Sequence, residues 1–245
     1  MNLYRCPAIR VNKDNVAKIK DNICIEDTFR LYLNDEPLVE LIASPGQLKE
    51  LGAGFVVCEG LAQGVDNVRV SGNEIRVSAA KTSGNFEKEL RSGGGLGIRK
   101  TPRKVTSSLV IRKEDVFKVI SEIESEVWKK TGGVHCSVLF SNKNLIVKSS
   151  DVGRHNTIDK VIGFAILNNI DLSTCVIGCT GRQPAGMISK NANAGIPIII
   201  SKAAPTDKGI SIADAVGITL VCFARDGRFT VYTHPYRIYE IAEVI

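Results

Sequence analysis

The sequence predicts a layered α/β protein in which a smaller α/β unit precedes a larger one. Three observations lead there. Short apolar strand-like runs alternate with helical-period segments throughout the second half. The 245 residues, 44% hydrophobic and 24% charged, allow one large or two modest cores in a globular chain. No apolar run approaches the roughly 20 residues needed to span a bilayer.

Residues 1–20 are polar and suggest no more than a loose or pairing strand. Positions 24–33 alternate apolar and polar side chains, and 38–43 form a second strand after Asn34-Asp35-Glu36-Pro37, which predicts a hairpin. Residues 48–61 read as a helix with Leu48, Leu51, Phe55 and Cys58 on one face. Short strands at 68–70 and 75–77 flank Ser71-Gly72-Asn73 and complete a small unit over residues 1–90. Residues 91–107 read as a glycine-rich basic linker. A P-loop is excluded there, because no strand-to-helix context with Lys-Ser or Lys-Thr surrounds the glycines.

The larger unit covers residues 108–245. Val116, Val119, Ile120, Ile123 and Val127 share a face and predict one helix over 114–130, ended by Gly132. Strands at 138–140 and 145–147 bracket a turn at Ser141-Asn142-Lys143-Asn144. Next comes Asp151-Val152-Gly153-Arg154-His155-Asn156, leading into a helix with Ile158, Val161, Ile162, Ala165 and Ile166 at helical spacing. Asp151 or Asn156 is placed to cap it, and Gly153 supplies the turn. Arg154 and His155 then stand at a helix start, where free N–H groups and the dipole favour an anion. A buried strand at 175–180, a helix from Pro184 to Gly195, a strand at 196–201 and a helix at 206–216 follow. A strand at 218–224, the turn Asp226-Gly227 and a strand at 229–233 close the pattern.

Charge is unevenly placed. The formal net charge is +6, and the 81–104 stretch holds seven basic residues against Glu87 and Glu89. Only Phe86 interleaves them, which argues against a single-strand nucleic-acid groove. Seven cysteines without a small-scaffold pattern, and no apolar signal segment in the first ten residues, suggest reduced thiols in the cytoplasm.

Further short motifs accompany the Asp151 corner. They are Thr131-Gly132-Gly133-Val134-His135, Gly181-Arg182, Asn193-Ala194-Gly195-Ile196-Pro197, Ser201 to Thr206, and Gly227-Arg228 to His234-Pro235. In this order they resemble the FdhD family, accessory sulfurtransferases of formate dehydrogenase, over residues 35–238. The resemblance implies a cytidine-deaminase-like layered domain after the smaller one. It also implies a homodimer, a cysteine desulfurase as sulfur donor and formate dehydrogenase as client. The implied ligand is the molybdenum or tungsten bis-molybdopterin guanine dinucleotide cofactor. In that family the turn before the last strand contacts this cofactor, and its match is Phe223, Ala224, Arg225, Asp226, Gly227 and Arg228. Two arginines beside a glycine turn suit phosphate, and a plain charged hairpin is the alternative. Arg154 and His155 join the binding set, with Arg182 and Lys202 as secondary candidates at strand ends or helix starts.

Two departures from the resemblance matter. The family's persulfide cysteine matches Gly94, and its second cysteine matches Gly97, so neither position carries a thiol. Cys136, beside His135, is the best substitute if the imidazole lowers its pKa. The zinc-binding pattern of true deaminases falls near His155, Asp159 and residues 182–187, where no Cys-x-x-Cys exists. A zinc deaminase is therefore excluded. The expectation is a cofactor-binding accessory protein, either transferring sulfur or delivering cofactor without it.

Overall fold

A computed structural model describes residues 3–82, 87–90, 96–99 and 101–242. The fold is mixed α/β. Its largest sheet has six strands: β9 (His135–Ser141), β10 (Asn144–Asp151), β11 (Cys175–Cys179), β12 (Ile198–Ser201), β13 (Thr219–Arg225) and β14 (Arg228–Thr233). Their order is β10-β9-β11-β12-β13-β14, with β11, β12 and β13 parallel and the outer pairings antiparallel.

The β11–β12–β13 crossovers pass through two helices, α5 (Ala185–Ala194) and α6 (Asp207–Val216). Gly195 and Gly217, both at positive φ, end these helices as left-handed caps. Together with α4 (Arg154–Leu167) they cover one face of the sheet. Ile158, Val161, Met187, Ile188 and Ala213 pack there on Leu139, Ile177 and Leu220. Helix α2 (Lys113–Glu122) covers the other face through Val116 and Val119.

The first part contains a four-stranded sheet, order β4-β3-β6-β5, from β3 (Asp27–Leu33), β4 (Glu36–Ala43), β5 (Asn67–Ser71) and β6 (Glu74–Ser78). Its helix α1 (Leu48–Cys58) is buried from Leu51 onward, between this sheet and α4. The close crossing requires glycine. A Cβ at Gly54 would lie 1.8 Å from the Asp159 carbonyl oxygen, and one at Gly163 would lie 1.8 Å from that of Glu50.

Several sequence expectations change. Residues 3–20, within the stretch expected to be a loose or pairing strand, belong to a long antiparallel hairpin of β1 (Leu3–Asn12) and β2 (Asn15–Cys24). It touches the body at α3 (Glu126–Thr131), where Cys24 Sγ donates to Thr131 Oγ1 at 2.9 Å. The single helix expected over 114–130 is two, because Ser125 caps α3 by accepting from the Trp128 N–H. Residues 91–107 are not all linker: β8 (Leu96–Arg99) pairs antiparallel with β7 (Glu87–Leu90). Residues 91–95, which include Gly94, lie outside the described residues. Neither Asp151 nor Asn156 caps α4; Gly153 stands at the N-cap without a side-chain cap. Asp151 is instead fully buried, accepting from Lys160 Nζ at 2.6 Å and the Ser44 N–H at 3.0 Å.

Candidate functional site

Topology places the expected site residues along one end of the large sheet, spread from β10 on one side to β14 on the other. The parallel strands β11, β12 and β13 end there, delivering Thr180–Gln183, the 201–206 loop and the hairpin tip at Arg225–Arg228. Antiparallel β9 begins at this end with His135, and β10 ends there with Asp151, just before Arg154 opens α4. The carboxyl ends of parallel strands are where open α/β sheets bind ligands.

The turn at Asp226-Gly227 has positive φ at both residues, 54° and 71°, which suits a two-residue hairpin. Arg225 and Arg228 face each other directly across it. Arg225 is 54% exposed and meets Asp226 at 3.8 Å, a loose surface pair. Phe223 and Ala224 behave differently from the tip. Ala224 is fully buried, and Phe223 is half-buried against the core under α4, α5 and α6. They support the hairpin and do not present side chains to a ligand.

At the start of α4, Arg154 and His155 are half-buried, and no acidic residue occupies the first turn. The Arg154 stem lies over Gly181, where a Cβ would come within 3.0 Å of it. His135 Nδ1 bonds Thr180 Oγ1 at 3.0 Å, and the Cys136 N–H donates to the same oxygen at 3.1 Å. Burial, and then the nearby Arg154 charge, lower the His135 pKa, so its imidazole is neutral at pH 7. Of the secondary candidates, Arg182 is exposed. Lys202 is held by Glu124 at 3.0 Å, a bond that lowers the Glu124 pKa.

Cys136 is poorly placed to act as the relocated nucleophile. It is 1% exposed, and burial pushes its thiol up to about 11. Neighbours in a strand point to opposite faces, and the His135 ring is spent on Thr180. Burial likewise raises Cys58, Cys175, Cys179 and Cys222, with Cys179 near 11. Cys6 and Cys24 are the two half-exposed thiols. They lie on the N-terminal hairpin, and Cys24 is bonded to Thr131.

Sequence reasoning missed a buried polar seam behind this end. Lys190 of α5 reaches both Asp159 oxygens, at 2.7 and 2.8 Å, and Glu59 at 2.6 Å, all three side chains 1% exposed. Asp159, next to the expected deaminase-like pattern, is thus engaged by a lysine. Gln183 was also missed. Fully buried, it donates to the Gly181 carbonyl at 2.8 Å, which also accepts from Ser201 Oγ at 2.7 Å. The Gln183 backbone also donates to the Ala204 carbonyl and accepts from the Thr206 N–H, tying the loop after β11 to the loop after β12.

The chain is 36% identical over 226 residues to Protein FdhD of Methanocaldococcus jannaschii, covering 91% of this chain and 93% of that one. It is 33% identical to the Sulfur carrier protein FdhD of Methanothermobacter thermautotrophicus, covering 97% and 100% of the two chains. A crystal structure of a putative formate dehydrogenase accessory protein from Desulfotalea psychrophila superposes with a TM-score of 0.83 at 26% identity. That match covers 96% of this chain and 99% of the other. Residues 24–239 match the FdhD/NarQ family, and the chain belongs to that family.

Proposed function

We propose that this chain is an accessory protein of formate dehydrogenase that binds the guanine-dinucleotide form of the molybdenum or tungsten cofactor. In this reading it delivers the cofactor without itself carrying sulfur. The observation that carries the reading is the direct opposition of Arg225 and Arg228 at the hairpin tip, at the end of the sheet where its parallel strands finish. Guanidinium pairs hold phosphate oxygens by charge-assisted, two-pronged hydrogen bonds. Arg154 adds a cation at a helix start on the same end of the sheet. These residues fit an anionic dinucleotide, whose phosphates Arg225 and Arg228 would hold. The cofactor supplies the redox-active metal; the chain's own residues bind and orient its nucleotide end.

The thiols support delivery over sulfur transfer. Thiolate is the attacking form, and five of the seven cysteines are buried with raised pKa values. The relatives named sulfur carriers favour the second reading, in which a cysteine desulfurase loads this chain through Cys6 or Cys24. A homodimer, a cytoplasmic location and deaminase-like layering belong to the same family-based proposal. The six-stranded sheet with helices on both faces supports the last of these.

GDP titration of the wild type and of Arg225→Ala/Arg228→Ala tests binding. Loss of at least about tenfold in affinity is expected from removing two charged hydrogen-bonding groups; unchanged affinity removes the site. Intact-protein mass spectrometry after incubation with a cysteine desulfurase and cysteine tests delivery. No added sulfur is expected, with a loaded relative as the parallel control. A reducible sulfur mapped to one cysteine would establish transfer instead.

A further inference from the structure

Strand β13 carries one residue more than β14 between two of their paired positions. Cys222 faces Thr230 and Arg225 faces Arg228, three steps along β13 against two along β14. Packing marks where the extra residue sits. Val221 and Ala224 belong to the core on the α2 face, whereas the consecutive Cys222 and Phe223 both pack under α4, α5 and α6. Neighbours in a regular strand point to opposite faces, so the alternation breaks at Phe223. Its φ is 51°, in the left-handed region that a bulky side chain rarely enters. Its N–H leaves the ladder and donates to the Ala203 carbonyl at 3.1 Å.

We propose that Phe223 is the positioning residue of the Arg225–Arg228 pair, acting through this left-handed bulge to set affinity for a phosphate-bearing ligand. The proposal rests on the anionic-ligand reading above. Without the extra residue, Ala224 would stand opposite Arg228 and Arg225 would leave the sheet on the α2 face. With it, both arginines leave on the face covered by α4, α5 and α6, the helix layer that Arg154 opens. Like charges directly opposite each other are unfavourable, and Asp226 approaches Arg225 no closer than 3.8 Å. An anion lying across both guanidinium groups relieves that repulsion. The backbone bond to Ala203 holds the bulge in place, linking the arginine tip to the loop that carries Lys202.

Three variants separate the backbone role from the ring. Phe223→Asn and Phe223→Gly accept positive φ, whereas Phe223→Val, branched at Cβ, does not. GDP affinity is expected to stay within about threefold of wild type in the Asn and Gly variants and to fall at least tenfold in the Val variant. Rescue by Asn is a result that loss of packing alone would not give, since Asn and Val both remove the ring. Equal affinity in all three variants, whether retained or lost, overturns the proposal. A second arm needs no ligand. Cross-strand NMR contacts between the Arg225 and Arg228 amides are expected in wild type and in Phe223→Asn, and Ala224–Arg228 contacts in Phe223→Val. The wild-type register in Phe223→Val would also overturn it. If wild-type protein fails to bind GDP, the proposed function falls, while the register arm still decides whether Phe223 sets the pair.

Discussion

Lys190 holds the Asp159 carboxylate through both oxygens, at 2.7 and 2.8 Å, with neither side chain more than 1% exposed. Glu59 closes on the same ammonium at 2.6 Å, so one lysine of α5 ties α4 to the end of α1. Removing that ammonium leaves two buried carboxylates without it. Lys190→Met is expected to cost about 3–5 kcal/mol, as for other broken buried ion pairs. Urea denaturation checks this; a midpoint equal to wild type would show that the seam is not structural.

The α1–α4 crossing gives a steric prediction. Gly54→Ala places a methyl carbon 1.8 Å from the Asp159 carbonyl oxygen, a backbone atom that cannot rotate away. The helices must separate, at a cost of about 1–3 kcal/mol or more by analogy with overpacked cores. Gly163→Ala meets the Glu50 carbonyl in the same way. Thermal melting of both variants is expected to show a lowered midpoint.

His135 makes stability depend on pH. Its folded pKa lies below the ordinary 6.5, so the unfolded chain binds the proton more readily. The stability from its neutral form is complete above 6.5 and declines as pH falls from there through the lowered folded value. His135→Gln, which cannot titrate, is expected to flatten this part of the profile. Denaturation midpoints at a series of pH values below 7 test it; parallel wild-type and variant profiles would refute it.

Thiol exposure is equally direct. A maleimide under native conditions is expected to modify Cys6 and Cys24 quickly and the five buried cysteines slowly, with all seven reacting after unfolding. At pH 8 a thiol near 11 is about 0.1% thiolate. Rapid native labelling mapped to Cys136 would overturn its assignment as an inert core thiol.

Much of the layout was legible in the sequence. Alternating periodicities located the strands of the six-stranded sheet, and Gly153, Gly195 and Asp226-Gly227 marked turns that exist. The arginine tip and the start of α4 were legible because strand ends and helix starts carry local signals. What escaped depends on contacts between distant segments. The burial of Asp159 and Lys160 was not legible, since nothing local reveals the distant segments that cover them. The break between α2 and α3 was hidden because apolar spacing continues through Val127; Ser125, two positions earlier, was the available clue. His135 next to Cys136 suggested an activated thiol, but adjacency along a strand means opposite directions in space. Phe223 could not be recognised as a bulge without the partner strand's register.

The two charges at the heart of α4 also act as a key for its alignment. Asp159 and Lys160 are consecutive, yet one meets a lysine on α5 and the other an aspartate on β10. Sliding the chain by one residue along the helix would bring Lys160 towards Lys190, or Asp159 towards Asp151. Aliphatic side chains tolerate such slippage, because one methyl-rich surface resembles the next. Opposite charges in series do not, and a one-residue slip of α4 in either direction would bury like against like. The seam therefore selects a single threading of the central helix, and with it the spot where Arg154 emerges beyond the strand ends.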